Sequence, residues 1–186
     1  PRAAYAPATE EERAVFKRIG EDAARRLAAH GRNHPYLFTS PEYAKAIREL
    51  YSSREGTLRA SLDKLVRYAE KDAGKDEYIL NEKGDGLANP LPRIESEDGY
   101  DVGGRQYRSE AYASNAINIA FGYLATGKQE FAIKAFYLLE DLVRDVHWGP
   151  GHFLNCAGAA ALSATAYDWL SDAWRELKLD TGAIIR

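Results

Sequence analysis

The sequence predicts an all-α protein, and three observations predict it. Apolar residues recur at helical spacing in most segments, start and stop signals bracket those segments, and no stretch reads as a credible strand. At 186 residues the chain is long enough for one domain with a real core and too short for two comfortable ones. The expectation is therefore a single helical domain, or a fragment of one, over residues 1–186, interrupted by a long irregular loop at 74–107.

The first helix is signalled by Thr9 with Glu12 three residues on, a capping box, followed by Val15, Phe16, Ile19, Ala23 and Leu27 on roughly one face, and it ends near Gly31. A short extended segment from His34 leads to Ser40 as N-cap and Pro41 as first helical residue of a second helix, expected to run to about Tyr51. A third runs from Thr57 to about Ala73, carrying Leu58, Leu62, Leu65, Val66 and Tyr68. From Gly74 to Tyr107 the text is glycine-rich, contains Pro90 and Pro92, and has no helical period. Loops of that length inside compact domains are more often functional or disordered than merely connective.

Helix is expected again from Ser109 to Gly127 and from Gln129 onward, an antiparallel hairpin joined by Thr126-Gly127-Lys128. A polar turn with Gly149, Pro150 and Gly151 then precedes a helix from about Phe153 to Leu170, with another starting near Asp172. The Phe153 helix is built almost entirely of small residues, Ala157 to Ala166, so it has almost no polar face and needs neighbours on most of its circumference. The apolar-periodic start at Ile184 and Ile185, without cap or polar tail, leads us to expect that the natural chain is longer.

Composition narrows function by exclusion. The 45% apolar and 28% charged fractions are those of a globular protein, and no apolar window of about 18 residues exists to span a membrane. A net charge of -3 argues against a broad basic surface for nucleic acid. Cys156 is the only cysteine, so no internal disulfide and no multi-cysteine metal site can be built, and no cofactor or metal motif is present. The start at Pro1, with neither methionine nor a signal-peptide profile, reads as a processed or trimmed N-terminus.

Three motifs carry a family resemblance. His34-Pro35-Tyr36-Leu37-Phe38-Thr39 stands just before a helix; Ile119 to Gly127, with the following "KQEFAIKAF", forms the hairpin; and "HFLNCAGAAALSATAYDWL" runs from His152 to Leu170. In this order and at about this spacing the chain resembles the N-terminal half of the helical toroid of heparinase II/III-like polysaccharide lyases. The resemblance spans roughly His34 to Leu170, with the long loop unmatched. It implies an incomplete (α/α) toroid of antiparallel helix pairs. In such a toroid the small-residue segment is an inner helix, "HWGPGH" is the rim of a groove above it, and only about half of the ring is supplied by this chain.

The same resemblance implies a bacterial, secreted or periplasmic enzyme that cleaves an acidic, uronate-containing glycan, heparan sulfate-like or alginate-like, by β-elimination. In that chemistry the uronate carboxylate is neutralised before the C5 proton leaves, and the proton movers must lie within hydrogen-bond reach. No position here matches the family's catalytic residues, so none is assigned; they are expected downstream of this chain, and this segment alone is expected to be inactive. The partners expected are the acidic polysaccharide and either the remaining part of the enzyme or a second copy of the chain, without nucleic acid or membrane.

Five residues are candidates for substrate binding. His152 stands at a helix start, where backbone N–H groups favour an anion, though a capping histidine is the commoner occupant of such a place. Trp148 can stack on a sugar ring or simply pack, and His147 beside it is a weaker candidate. Asn155 can donate to a sugar hydroxyl or serve the backbone of its own helical turn. Arg105 and Arg108, at the end of the loop, match carboxylates and sulfates by their planar guanidinium, or are simply solvated. Tyr167, Asp168 and Trp169, at the far end of the small-residue helix, read as structural anchors.

Two other readings compete. The Asn115 to Leu142 hairpin also resembles one tetratricopeptide unit of a non-enzymatic scaffold, although an array needs about three units at a period near 34. A glycoside hydrolase on a related toroid would need two carboxylates across a cleft, and no spacing among Glu110, Asp145 and Asp168 singles out a pair.

Overall fold

The computed structural model describes residues 39–53, 58–90, 106–144 and 153–185, together with Glu10, Ala14, Lys17, Arg18, Glu21 and Arg25; residues 106–108, 153, 155 and 185 are described by backbone alone. The chain divides into two compact units, residues 1–33 and 34–186. In the first, the six described residues are helical and exposed, the polar side of the expected first helix, and Lys17 pairs with Glu21 one turn on. The expected apolar face, Val15 to Leu27, lies outside the described residues.

The second unit is built of helices: α1 (Pro41–Ser53), α2 (Arg59–Ala73), α3 (Gln106–Thr126), α4 (Gln129–Arg144), α5 (Phe153–Glu176) and a short α6 (Gly182–Ile185). Among the described residues there is no strand, only an isolated bridge between Leu80 and Leu87. The all-α class is therefore observed.

Ser40 caps α1 as its position before Pro41 requires. Its hydroxyl accepts from the Tyr43 amide at 3.4 Å and donates to Glu42 at 2.6 Å, a bond that holds the Glu42 carboxyl below its usual range. In α2 the buried row is Val66, Ala69, Asp72 and Ala73, whereas Leu58, Leu65 and Tyr68 are exposed. The helix is thus rotated from the face that its large apolar residues suggest. The reason is close approach: a Cβ on Gly122 of α3 would stand 2.7 Å from the Ala69 Cβ, so α2 and α3 meet through their smallest residues.

The glycine-rich segment begins with more order than its composition suggests. After α2 it makes a single 3-10 turn, Asp76–Tyr78, and a tight reversal in which the Asn81 amide donates to the Gly86 carbonyl at 2.9 Å and the Ala88 amide to Ile79 at 2.8 Å. Tyr78 and Leu87 are buried, and the Tyr78 ring meets Tyr112 edge-on at 5.1 Å, so two side chains anchor the segment in the core. Residues 91–105 lie outside the described residues. The following helix begins at Gln106, three residues before the expected Ser109.

Helix α3 packs along α2, α4 and α5, which is why its sequence shows little contrast between faces. It stops at Gly127, whose φ of +73 is the left-handed conformation that glycine adopts without penalty; the Gly127 amide returns to the Tyr123 carbonyl at 2.7 Å. The hairpin expected from Thr126-Gly127-Lys128 forms here. Arg48 of α1 completes the cap by donating to the Tyr123 and Leu124 carbonyls, both at 3.2 Å.

Helix α5 corrects two expectations. It is one continuous helix to Glu176, with no break between Leu170 and Asp172. It also carries an exposed face, because Leu154, Ala157, Ala160, Ala161 and Ala164 are open to solvent. The opposite face is buried: Leu170 and Trp174 are fully covered, and the Trp174 indole N–H donates to the Ala132 carbonyl of α4 at 2.8 Å. Glu110 near the start of α3 lies against Gly158 near the start of α5, while Tyr123 and Leu124 near the end of α3 share a groove with Trp169 and Ala173. Helices α3 and α5 therefore run parallel, with α4 returning between them in sequence.

Candidate functional site

None of the five binding candidates has a described side chain. Arg105, Trp148 and His152 lie outside the described residues, as does His147. Arg108 and Asn155 are described by backbone only: Arg108 is in the first turn of α3 rather than in a loop, and Asn155 is in the first turn of α5, where a helix-start role places it. Of the expected anchors, Asp168 is buried and Tyr167 packs edge-on against Trp174 at 5.8 Å. Trp169, partly buried like Tyr167, faces a groove.

That groove has a volume of about 280 Å³ and lies where α1 meets the ends of α3 and α5. Its size is just below the roughly 300–1,000 Å³ typical of small-molecule sites. Pro41, Ala44, Lys45 and Arg48 come from α1, Tyr123 and Leu124 from α3, and Trp169, Asp172, Ala173 and Glu176 from α5. The local reasons are plain. Trp169 and Asp172 are one turn apart on α5, with Ala173 and Glu176 on the next turn, so they form one side of that helix. Ala44, Lys45 and Arg48 stand likewise on one side of α1.

The charges of the groove are largely engaged already. Arg48 caps α3 and also lies over the Tyr123 ring, 5.2 Å from its centroid. Asp172 pairs with Arg175, and Lys45 reaches Glu49 at 3.7 Å along its own helix. Two cations and two carboxylates face a partly exposed indole, and the groove carries no net charge. It can hold a ring on Trp169 and exchange hydrogen bonds at its edge through Lys45, Asp172 and Glu176. Trp169 is 16 residues from Phe153 along α5, a rise of about 24 Å. The groove and the rim expected at the start of α5 are thus at opposite ends of that helix.

A second polar constellation joins the 74–90 segment to α3 and contains an asparagine and a tyrosine. Asn115 donates to the Tyr78 hydroxyl at 2.6 Å, Lys75 donates to the Asn115 carbonyl oxygen at 3.1 Å, Lys75 pairs with Asp72 at 2.9 Å, and Asn118 donates to Asp72 at 2.8 Å. Every member has a partner within the set. Burial is the main force raising the Tyr78 phenol above its ordinary value, and the Asn115 bond offsets only part of it. A proton-moving tyrosine needs the opposite shift and an approach for substrate, yet Tyr78 is 1% exposed. The network is a satisfied clasp that holds the 74–90 segment to α3.

Sequence reading missed the groove because its residues are distributed over three helices, from Pro41 to Glu176. The available signal was Trp169 itself, which stands one position off the row Ala166, Leu170 and Ala173 that the small-residue pattern marks as buried. Among the described residues no group of three or more His, Cys, Asp or Glu side chains is placed to hold a metal ion, and no helix is long and apolar enough to cross a membrane. Comparison of the chain with protein-family models, with curated proteins and with solved structures finds no match, so the functional reading rests on the residues and their geometry.

Proposed function

We propose that this chain is a helical, substrate-facing segment of a polysaccharide lyase that acts on acidic, uronate-containing glycans by β-elimination. In this reading the helices shape the groove and the segment carries none of the proton-moving residues. The observation that supports it is the arrangement of α3, α4 and α5: the helices bearing two of the three motifs run parallel with α4 as the return, the alternation that an (α/α) toroid of antiparallel pairs requires.

The same arrangement weighs against a tetratricopeptide scaffold. Helix α5 starts 47 residues after α3, from 106 to 153, a step well beyond the period of about 34 that such repeats keep. The expected result is that the natural polypeptide bearing this segment releases unsaturated uronate products, read as rising ultraviolet absorbance. It is also expected that His152→Ala weakens binding of an acidic oligosaccharide. No product from heparan sulfate, alginate or other uronate polymers would remove the proposal.

A further inference from the structure

We infer that the groove between α1, α3 and α5 is a subsite for an uncharged sugar ring stacked on Trp169. The inference rests on the reading of the chain as a glycan-handling array, but it concerns a different place and a different sugar chemistry. The place is the far end of α5, about 24 Å along the helix from its first residue, a separation that no single ring spans.

The chemistry follows from what lines the groove. An indole offers a flat apolar face to the C–H side of a pyranose, and the hydroxyls around that ring need both donors and acceptors at its edge. Lys45 supplies donors; Asp172 and Glu176 supply acceptors. A uronate or sulfated ring would bring its anion beside these two carboxylates. The guanidinium that could answer it, Arg48, is held on the Tyr123 and Leu124 carbonyls and over the Tyr123 ring. A cationic ligand would meet Lys45 and Arg48 instead. The balance of two positive and two negative groups thus offers neither ion a net attraction, whereas a neutral polyol uses donors and acceptors alike.

The test is saturation-transfer NMR on the 186-residue chain. The probes are maltotriose, cellotriose and chitotriose as neutral sugars and trigalacturonate as the acidic one. At least one neutral trisaccharide is expected to bind, with affinity falling about tenfold in Trp169→Ala and unchanged in Tyr68→Ala, which removes an exposed ring of α2 that does not line the groove. Because Trp169 is partly buried, Glu176→Lys serves as the second variant: Glu176 is exposed, so the fold survives, and the neutral sugar is expected to weaken there too.

No binding of any neutral trisaccharide overturns the inference, as does binding that neither variant alters. Self-association of the chain that Trp169→Ala abolishes also overturns it, by assigning the groove to a second copy. Trigalacturonate binding lost in His152→Ala and kept in Trp169→Ala, without neutral binding, sinks this subsite and leaves the proposed function standing. Neutral binding through Trp169 in a protein that yields no uronate product does the reverse.

Discussion

Helix α5 is one element with two environments. From Thr165 to Trp174 nearly every turn is covered, and Trp174 fills the space beside α4 with Phe136 5.5 Å away and Tyr167 on its other flank. Among the described side chains from Leu154 to Ala164 only Ala159 and Ser163 are buried, and one side of the helix faces solvent. Alanines occur in both halves. What separates them is a large aromatic residue and a neighbour close enough to enclose it, so the small-residue composition sets how closely a helix can be approached, not whether it is approached.

The comparison breaks first at Trp174. Trp174→Ala removes a side chain with no solvent exposure and leaves the Ala132 carbonyl without its indole donor. We expect a loss of about 3–5 kcal/mol, a large fraction of the about 5–15 kcal/mol that holds a domain folded, measured by urea unfolding followed by circular dichroism. A loss under about 1 kcal/mol would mean that the covered half of α5 is no more of an anchor than the open half.

The next effect in size tests close approach at glycine. In Gly122→Ala the new methyl would stand 2.7 Å from the Ala69 Cβ and 3.2 Å from the Phe131 ring, so α2 or α4 must move. Overpacking of this kind costs about 1–3 kcal/mol, offset by up to about 1 kcal/mol of helix propensity. The net result is a fall in the thermal midpoint. An unchanged or higher midpoint would show that the α2–α3 contact is looser than its geometry.

Tyr78→Phe comes third. It strips the hydroxyl from the Asn115 clasp while keeping the edge-on ring against Tyr112, for a cost of about 1 kcal/mol. The pH dependence has a definite sign. The folded protein raises the Tyr78 phenol above its ordinary value near 10, so this group's contribution is fully present below about pH 10 and is lost as pH climbs toward the folded value. Ultraviolet titration is expected to show buried tyrosines, Tyr78 and Tyr137 among them, that ionise later than the exposed ones, and the late absorbance change should shrink in the Phe variant. Simultaneous ionisation of all tyrosines would contradict the burial.

How far the sequence carried this picture depends on the range of the signal. Local signals held: Ser40 and Pro41 start α1, and Gly127 ends α3, because caps are decided within a turn of chain. Two others failed for tertiary reasons. A glycine-rich stretch looked structureless, since nothing local announces that Tyr78 reaches Tyr112, thirty-four residues on. Asp172 was read as a new helix start, although α5 continues through it. Of the binding candidates, Arg105, Trp148 and His152 lie outside the described residues, while the groove joins positions from 41 to 176 that no single window contains.

The smallest effects belong to the open half of α5, and they are the sharpest test of the contrast. Gly158→Ala places a methyl 3.3 Å from the Glu110 carboxylate, the movable end of a flexible side chain, so it can shift where Ala69 cannot. The helix-propensity gain of about 1 kcal/mol should then survive in part, making the variant neutral or slightly more stable. Ala161→Glu, on the exposed side of the same half, should stay within about 0.5 kcal/mol of the parent. The opposite signs of Gly158→Ala and Gly122→Ala, the same chemical change in two helices, would then report directly which glycine faces a fixed neighbour. A loss above about 2 kcal/mol in Ala161→Glu would instead mean that this side of α5 is covered in solution, since only a buried and unpaired carboxylate costs that much.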